Sequence, residues 1–374
     1  MNLKITKLPI NIYLSEYKLI SIIIDICLLP FFYLLRMFNR LRAKNKGNVL
    51  VILLRKLGDT VFTVPAVKEI QKQFGEKITI VCFPESIPIY KLALKNINFC
   101  EIQHEDFFFG HRIASSRAIQ RLGSLSPNII FDLTGTMISA SLIFNLSARQ
   151  IVGINGIHFR TIYDHYIAFR ENPHLIDLYL DAISPLVRVQ NREDLKKNPV
   201  VIDPNGKILV HPFAGWKAKE WNFKKYCKLI IDLSKDYKIA VVAPINNISM
   251  DIIDEFIMEG IEIIQPQSVE NLIDHIKSCS VFIGNDSGPI YIASLLGKPT
   301  ISLYGPTNPE YSRPIGDNHH VIFQEIKCSP EKNKQYCLTT AGMFGCPAFE
   351  CMNLLDYNVV HIKIKELLKN IFTI

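Results

Sequence analysis

Between Val281 and Pro306 the chain reads VFIGNDSGPIYIASLLGKPTISLYGP, and few folds can house that stretch. A buried strand (Val281 to Gly284), a tight polar turn (Asn285, Asp286, Ser287, Gly288), a compact helix (Pro289 to Leu296) and a second buried strand (Thr300 to Tyr304) follow one another almost without loops. Unbroken apolar β runs alternating with helices belong in a parallel sheet covered on both faces. A turn that leaves the carboxyl end of a strand and opens directly into a helix aims free N–H groups and the positive end of the helix dipole at one point, which suits a phosphate. Gly288 lets a diphosphate approach the backbone, and Ser287 adds a hydroxyl donor. Asp286 is either the helix N-cap or a ligand contact.

Two further stretches repeat the plan. NVLVILLRKLGDTVFTVPAVKEI (Asn48 to Ile70) gives a β run, a polar turn from Arg55 to Asp59 and a helix with Pro65 near its first turn. KILVHPFAGWKAKEWNFKKYCKLI (Lys207 to Ile230) gives strand, Gly-containing loop and helix. Each unit sets polar groups at the carboxyl end of a buried strand, where open parallel sheets bind ligands. Strands are expected at Val49–Leu54, Ile78–Phe83, Asn128–Leu133 and Gln150–Ile154, with helices at Ala66–Phe74 and Ile138–Leu146. Beyond a polar linker at 190–206, strands recur at Ile208–His211, Ile239–Ala243, Ile261–Ile264, Val281–Gly284 and Thr300–Leu303. The fold class is therefore α/β: two doubly wound, Rossmann-like domains, 47–189 and 207–355, facing a cleft, with residues 356–374 as a terminal helical segment.

At 374 residues, 48% of them apolar, the chain can fill two cores. Its net charge of +7 comes without a basic stripe interleaved with aromatics, which argues against nucleic acid as a partner. The nine cysteines include Cys27, Cys82 and Cys279 inside apolar runs, so a secreted disulfide scaffold is not expected and a reducing cytoplasm is. Residues 19 to 35, LISIIIDICLLPFFYLL, are the compositional outlier. They approach the length of a membrane span, but Asp25 and Pro30 oppose a clean crossing. Arg36, Arg40, Arg42, Lys44 and Lys46 follow, a cluster suited to anionic headgroups at on the order of 1 kcal/mol per charge. Residues 1–46 thus read as a membrane-associating segment with a monotopic or re-entrant apolar anchor helix; the alternative is a helix that simply packs on the domain. There is neither a compact basic start nor a small-residue cleavage site, so a removed signal peptide is not expected.

These residues carry a resemblance. Leu57-Gly58-Asp59 followed by Pro65, Lys219-Glu220-Trp221 after a Gly-containing loop, and Asp286-Ser287-Gly288 followed by Gly297-Lys298-Pro299 and Gly305-Pro306-Thr307 occur in the order found in bacterial glycosyltransferase family 9, the heptosyltransferases, which the chain resembles over about residues 48 to 355. The resemblance implies a GT-B fold, with the acceptor on the first domain and a nucleotide sugar on the second. It also implies inverting transfer of a sugar, most simply heptose from ADP-heptose, onto a lipopolysaccharide core or related glycan. The enzyme would sit peripherally on the cytoplasmic face of the inner membrane and hold no cofactor beyond the donor. A same-fold transferase using another nucleotide sugar or a protein acceptor, and a non-catalytic member serving as a binding partner, are the alternatives.

Sugar transfer needs a base for the acceptor hydroxyl and positive charge for the departing diphosphate. Asp59 matches the family's general base, with helix N-cap as its other reading. Lys219 matches the cation for the diphosphate, with a solvated lysine as the other reading. Backbone N–H groups of Ala214, Gly215 and Trp216 join Ser287 and Gly288 as phosphate donors, while Trp221 is expected to pack at the helix start. Arg55 and Lys56 either meet an anionic acceptor or face solvent. Where many members have a His three positions after the motif's Gly, this chain has Tyr291, a hydrogen-bond donor that carries no positive charge at neutral pH. No Asp-x-Asp metal motif is found, so metal-independent transfer is expected. Cys328, Cys337, Cys346 and Cys351 lack the paired Cys-x-x-Cys spacing of a structural zinc site. Some relatives that modify proteins use such a cluster for metal; free thiols or a disulfide are the other readings here. The last helix, Val359 to Ile371, is expected to pack back across the first domain, as in GT-B enzymes.

Overall fold

The computed structural model describes residues 27–43, 47–108, 113–155, 159–169, 174–337, 346 and 348–373. Helix α1 (residues 27–42) is followed by β1 (Val49–Leu53), α2 (Leu57–Phe74), β2 (Ile78–Cys82), α3 (Ile87–Ala93) and β3 (Asn98–Glu101). Next come a small antiparallel pair, β4 (Phe107–Phe108) and β5 (Ile113–Ala114), then α4 (Ser116–Ser124), β6 (Ile129–Asp132), α5 (Met137–Ile143), β7 (Gln150–Asn155), β8 (His165–Ala168) and α6 (Leu175–Ile183). The one-turn α7 (Arg192–Leu195) stands in the linker. The second half runs β9 (Lys207–His211), α8 (Phe223–Ser234), β10 (Ile239–Val242), α9 (Met250–Met258), β11 (Glu262–Ile264), α10 (Val269–Lys277), β12 (Cys279–Asn285), α11 (Gly288–Leu295), β13 (Thr300–Tyr304), α12 (Pro309–Ser312) and β14 (His319–Phe323).

Each half is built on a six-stranded sheet, in the orders β3-β2-β1-β6-β7-β8 and β11-β10-β9-β12-β13-β14. All strand pairs within them are parallel. Leaving the small hairpin aside, both follow the doubly wound order 3-2-1-4-5-6. The central strands read as continuous apolar runs because both faces are covered: β1 (VLVIL) and β13 (TISLY) are buried at every position.

Several expectations need correction. The edge strands β3, β8 and β14 were not anticipated, because NFCE and HYIA carry polar residues on exposed positions, HHVIF opens on two histidines, and none has an unbroken apolar signature. Helix α2 begins at Leu57, well before Ala66, and Pro65 lies inside it rather than in its first turn. Thr60 to Val64 are poor helix formers by propensity, yet all are buried, Thr60 and Thr63 against Ser86 and Tyr90 of the first half and Phe62 against Tyr291 of the second, and tertiary packing overrides the local preference. The C-terminal helix Tyr357–Thr373 packs on α8 of the second half, not across the first. Its apolar stripe of Val360, Ile364, Leu368 and Ile371 joins the second core, and Tyr357 and Lys365 bond Asp232 and Asp236. The linker is held to the second half where Val201 N donates to Gly297 O at 2.8 Å.

Of the expected anchor run, residues 19–26 lie outside the described residues, as do Lys44 and Lys46. No helix among the described residues is long and apolar enough to cross a membrane. Arg36, expected to face headgroups, is instead 6% exposed. Its guanidinium donates to Ala148 O (2.6 Å), Arg149 O (3.0 Å) and Asp164 Oδ2, clamping α1 to the first half just before β7.

One apolar core crosses between the halves, joining Val61 and Phe62 of α2 to Ile290 and Tyr291 of α11. At its edge His174 caps α6: Nδ1 accepts from Ile176 N (3.2 Å), so Nε2–H donates to Arg313 O (3.0 Å) in the second half. Burial lowers the His174 pKa from 6.5 to about 4, against smaller opposing contributions from the Arg313 carbonyl and Asp177. The unfolded chain therefore takes up a proton that the folded chain refuses, and stability falls as pH drops from about 6.5 toward 4. His174→Gln should lessen the loss of unfolding free energy between pH 7 and pH 5 by about 2 kcal/mol, measured by urea unfolding at the two pH values.

Candidate active site

In a doubly wound sheet the connections on either side of the first strand leave toward opposite faces, opening a crevice at the carboxyl ends of the first and fourth strands. Here those strands are β1 and β6 in one half and β9 and β12 in the other. The residues singled out from sequence lie after three of them: Arg55, Lys56 and Asp59 after β1; Gly215, Trp216 and Lys219 after β9; Asp286, Ser287, Gly288 and Tyr291 after β12.

The two crevices meet. A Cβ placed on Gly58 would lie 3.3 Å from Gly288 Cα and 3.2 Å from Tyr291 Cδ2. The N-termini of α2 and α11 therefore touch across the seam, and a side chain at Gly58 would crowd the contact by a few tenths of an ångström. Phe62 and Tyr291 close the floor behind them, edge to face at 4.6 Å.

On the second half the centre of the site is Asp286, 1% exposed. Its carboxylate pairs with Lys219 Nζ at 2.6 Å and accepts from Thr307 Oγ1 and from the Tyr291 hydroxyl. Burial alone would raise its pKa; the Lys219 ammonium and the two hydroxyls outweigh burial and hold it below the ordinary carboxylate value. Asp286 is therefore not the N-cap it was weighed as, because its oxygens are taken by these donors. The cap position of α11 belongs to Ser287, whose Oγ is buried and has no hydrogen-bond partner among the described residues. A buried hydroxyl at a helix N-terminus is chemically suited to donate to an acceptor group on a ligand.

Tyr291 is buried behind Asp286, its hydroxyl 3.2 Å from those of Tyr304 and Ser312. Burial, reinforced by the Asp286 charge, pushes its pKa well above the ordinary value, so it acts as a neutral donor. Asn285 latches the β9 connection in place: Oδ1 accepts from Trp221 N and Tyr226 OH (both 3.1 Å), and Nδ2 donates to Pro212 O at 2.8 Å. Trp221 is buried and donates to Leu355 O, while Trp216 lies half-buried with its ring 5.8 Å from Lys219 Nζ. Gly215 is exposed with open space on its Cβ side.

On the first half Asp59 sits in the first turn of α2, half-buried, and no hydrogen bond engages its carboxylate among the described residues. It is not the helix N-cap; Lys56, exposed, holds that position. Arg55 turns inward, donating to Leu133 O (3.2 Å) with its guanidinium over the Tyr179 ring. Burial opposes the Arg55 charge, and the surrounding oxygens of Tyr179, Asp59, Asp132 and Tyr311 more than restore it. Asp132, at the end of β6, is fully buried and accepts from Tyr163 OH (2.6 Å) and Thr134 N (2.9 Å). Sequence reading missed Asp132 and the latch role of Asn285; Thr307 stood in the Gly-Pro-Thr motif without a role assigned.

Cys328, Cys337, Cys346 and Cys351 line one small cavity beside Ala218 and Gly305. Among the described residues no group of three ligands is arranged to hold a metal ion. Cys328, Cys346 and Cys351 are free thiols, and burial pushes the Cys351 pKa up to about 11, away from thiolate chemistry.

Residues 116–341 match the family described as Glycosyltransferase family 9 (heptosyltransferase). Lipooligosaccharide heptosyltransferase 2 of Campylobacter jejuni subsp. jejuni serotype O:2 is 24% identical over 332 residues, covering 84% of this chain and 96% of that protein. Lipopolysaccharide heptosyltransferase 3 of Escherichia coli is 22% identical over 295 residues, covering 70% and 84%. Among solved structures, E. coli ADP-heptose lps heptosyltransferase II superposes with a TM-score of 0.63 at 15% identity, covering 86% of this chain and 99% of that one.

Proposed function

The chain belongs to glycosyltransferase family 9, the heptosyltransferase family, and from that premise we propose that it moves heptose from ADP-heptose onto a lipopolysaccharide core or a related glycan acceptor. The observation that carries this reading is the contact of two helix N-termini at Gly58 and Gly288. It brings the first turn of α2, which carries Asp59, against the positive helix end of the second half.

In the proposed reaction the donor's diphosphate lies at the N-terminus of α11, taking hydrogen bonds from Ser287 Oγ and the first amides and charge from Lys219. Asp59 takes the proton from the acceptor hydroxyl. The oxygen attacks the anomeric carbon on the side away from the diphosphate, the bond to the leaving oxygen breaks, and ADP departs with inverted configuration at the sugar. Lys219 and the helix end supply the positive charge that a metal brings in other transferases, so transfer is metal-independent in this proposal. Asp286 and Tyr291 orient Lys219, and Arg55 and Lys56 stand where an anionic acceptor would approach. The acceptor is a glycolipid, and the enzyme works peripherally at the cytoplasmic face of the inner membrane. The relatives' heptosyltransferase names and the ADP-heptose in the name of the superposed enzyme support this choice of donor and acceptor.

Calorimetry against ADP-, UDP-, GDP- and CMP-sugars, followed by mass analysis of the acceptor product, tests it. Heat with ADP-heptose and a heptose-sized mass gain are expected. No heat with ADP-heptose, beside clear heat with a hexose donor, overturns the choice of donor.

A further inference from the structure

Helix α1 presents its faces in the reverse of the usual order for a surface helix. The side turned to the first half carries Phe32, Arg36 and Asn39, at 5%, 6% and 4% exposure. Arg36 is spent on the clamp before β7, Phe32 packs on Phe159 with ring centroids 4.3 Å apart, and Asn39 reaches Asn145. The outward side is apolar: Phe31, Tyr33, Leu34, Met37, Phe38 and Leu41 are each at least 52% exposed. At about 100° per residue these six sweep an arc of roughly 160° centred opposite Phe32, and Arg40 and Arg42 fall just outside its two edges. Arg42 lies 4.8 Å over the Phe38 ring, and the exposed Arg149 lines a groove with Met37, Arg40 and Leu41.

A solvent-facing helix with a wide apolar arc, cations at both margins and no acidic residue between them has the pattern of a helix lying in a bilayer interface. Its described stretch, residues 27–42, extends about 24 Å at 1.5 Å per residue. A second copy of the chain fits less well, because apposing two such faces would bring both sets of Arg40, Arg42 and Arg149 together. We propose that the exposed face of α1 docks the enzyme on an anionic phospholipid surface, with the aromatic and aliphatic side chains in the acyl boundary and the arginines at the headgroups. The inference deepens the proposed membrane location by assigning it to one face; lipid binding is measured without substrate, so its failure is separable from failure of the proposed transfer reaction.

The full chain is sedimented with phosphatidylcholine vesicles containing about one-third phosphatidylglycerol, and with phosphatidylcholine alone. Binding to the anionic vesicles, weakened by salt, is expected, with at least about a tenfold loss of partitioning in Leu34→Glu/Phe38→Glu. Transfer to a short, lipid-free acceptor by the double variant should match the parent, which shows that the variant is folded. Phe38→Trp adds a direct reading: brominated lipid should quench the variant's added emission and leave the parent's unchanged. Unaltered vesicle binding by the double variant, or no binding by the parent, overturns the assignment. So does a parent dimer that the double variant abolishes, because the face would then belong to a second copy. An added Trp already shielded from aqueous quencher without lipid overturns it too, because the chain itself would cover the face.

Discussion

Asp59→Asn lowers turnover by about 1,000-fold, the middle of the range for losing a positioned general base. Donor affinity stays within about twofold, because the interactions that hold a diphosphate come from the other half of the molecule. The melting temperature barely moves: the Asp59 carboxylate makes no hydrogen bond among the described residues, and only its favourable place near the helix N-terminus is lost, about 0.3–1 kcal/mol. The pattern separates base from mere helix stabiliser. A base mutant loses kcat at constant stability and constant donor Kd; a stabilising residue would lose stability at constant kcat. Steady-state kinetics beside calorimetry and thermal unfolding reads all three, and an Asp59→Asn enzyme with more than about a tenth of the parent's kcat would end the assignment.

Lys219→Met strikes both function and fold. The diphosphate loses its cation, and kcat/KM falls about 100- to 1,000-fold, most of it in the chemical step, where charge grows on the leaving oxygen. Asp286 is 1% exposed and Lys219 only 21%, so removing the ammonium strands a carboxylate in the interior, at a cost of about 3 kcal/mol. Adding Asp286→Asn to the Met variant should restore most of that stability, because a neutral amide still satisfies Thr307 and Tyr291. It should restore none of the activity. Equal recovery of both would mean that Lys219 matters only for holding the fold.

How much of this could be read beforehand depended on whether the signal was local. Strands such as β1 and β13 were legible because both faces of a central parallel strand are covered, leaving an apolar run that needs no context. The edge strands β3, β8 and β14 pair on one side only and tolerate polar residues, so their sequences carry no such mark. The start of α2 was hidden because tertiary burial of Thr60 to Val64, not propensity, makes that segment helical. The same held for the site. Strand–turn–helix spacing placed Ser287 and Gly288 at the opening of α11, but whether Asp286 caps a helix or pairs with Lys219 depends on a contact between distant parts of the chain. Arg36 is the plainest case: in sequence it is one more member of a basic cluster, and only the carbonyls of Ala148 and Arg149 together with the Asp164 carboxylate turn it inward.

That inward turn makes α1 a strut rather than a tether. On the lipid surface proposed for it, a flexible leash would let the Asp59 carboxylate wander over a range of heights; a helix pinned by a buried guanidinium would fix one height. An enzyme docked as proposed would work as a depth gauge, selecting glycans by how far their reactive sugar stands from the bilayer as well as by what that sugar is.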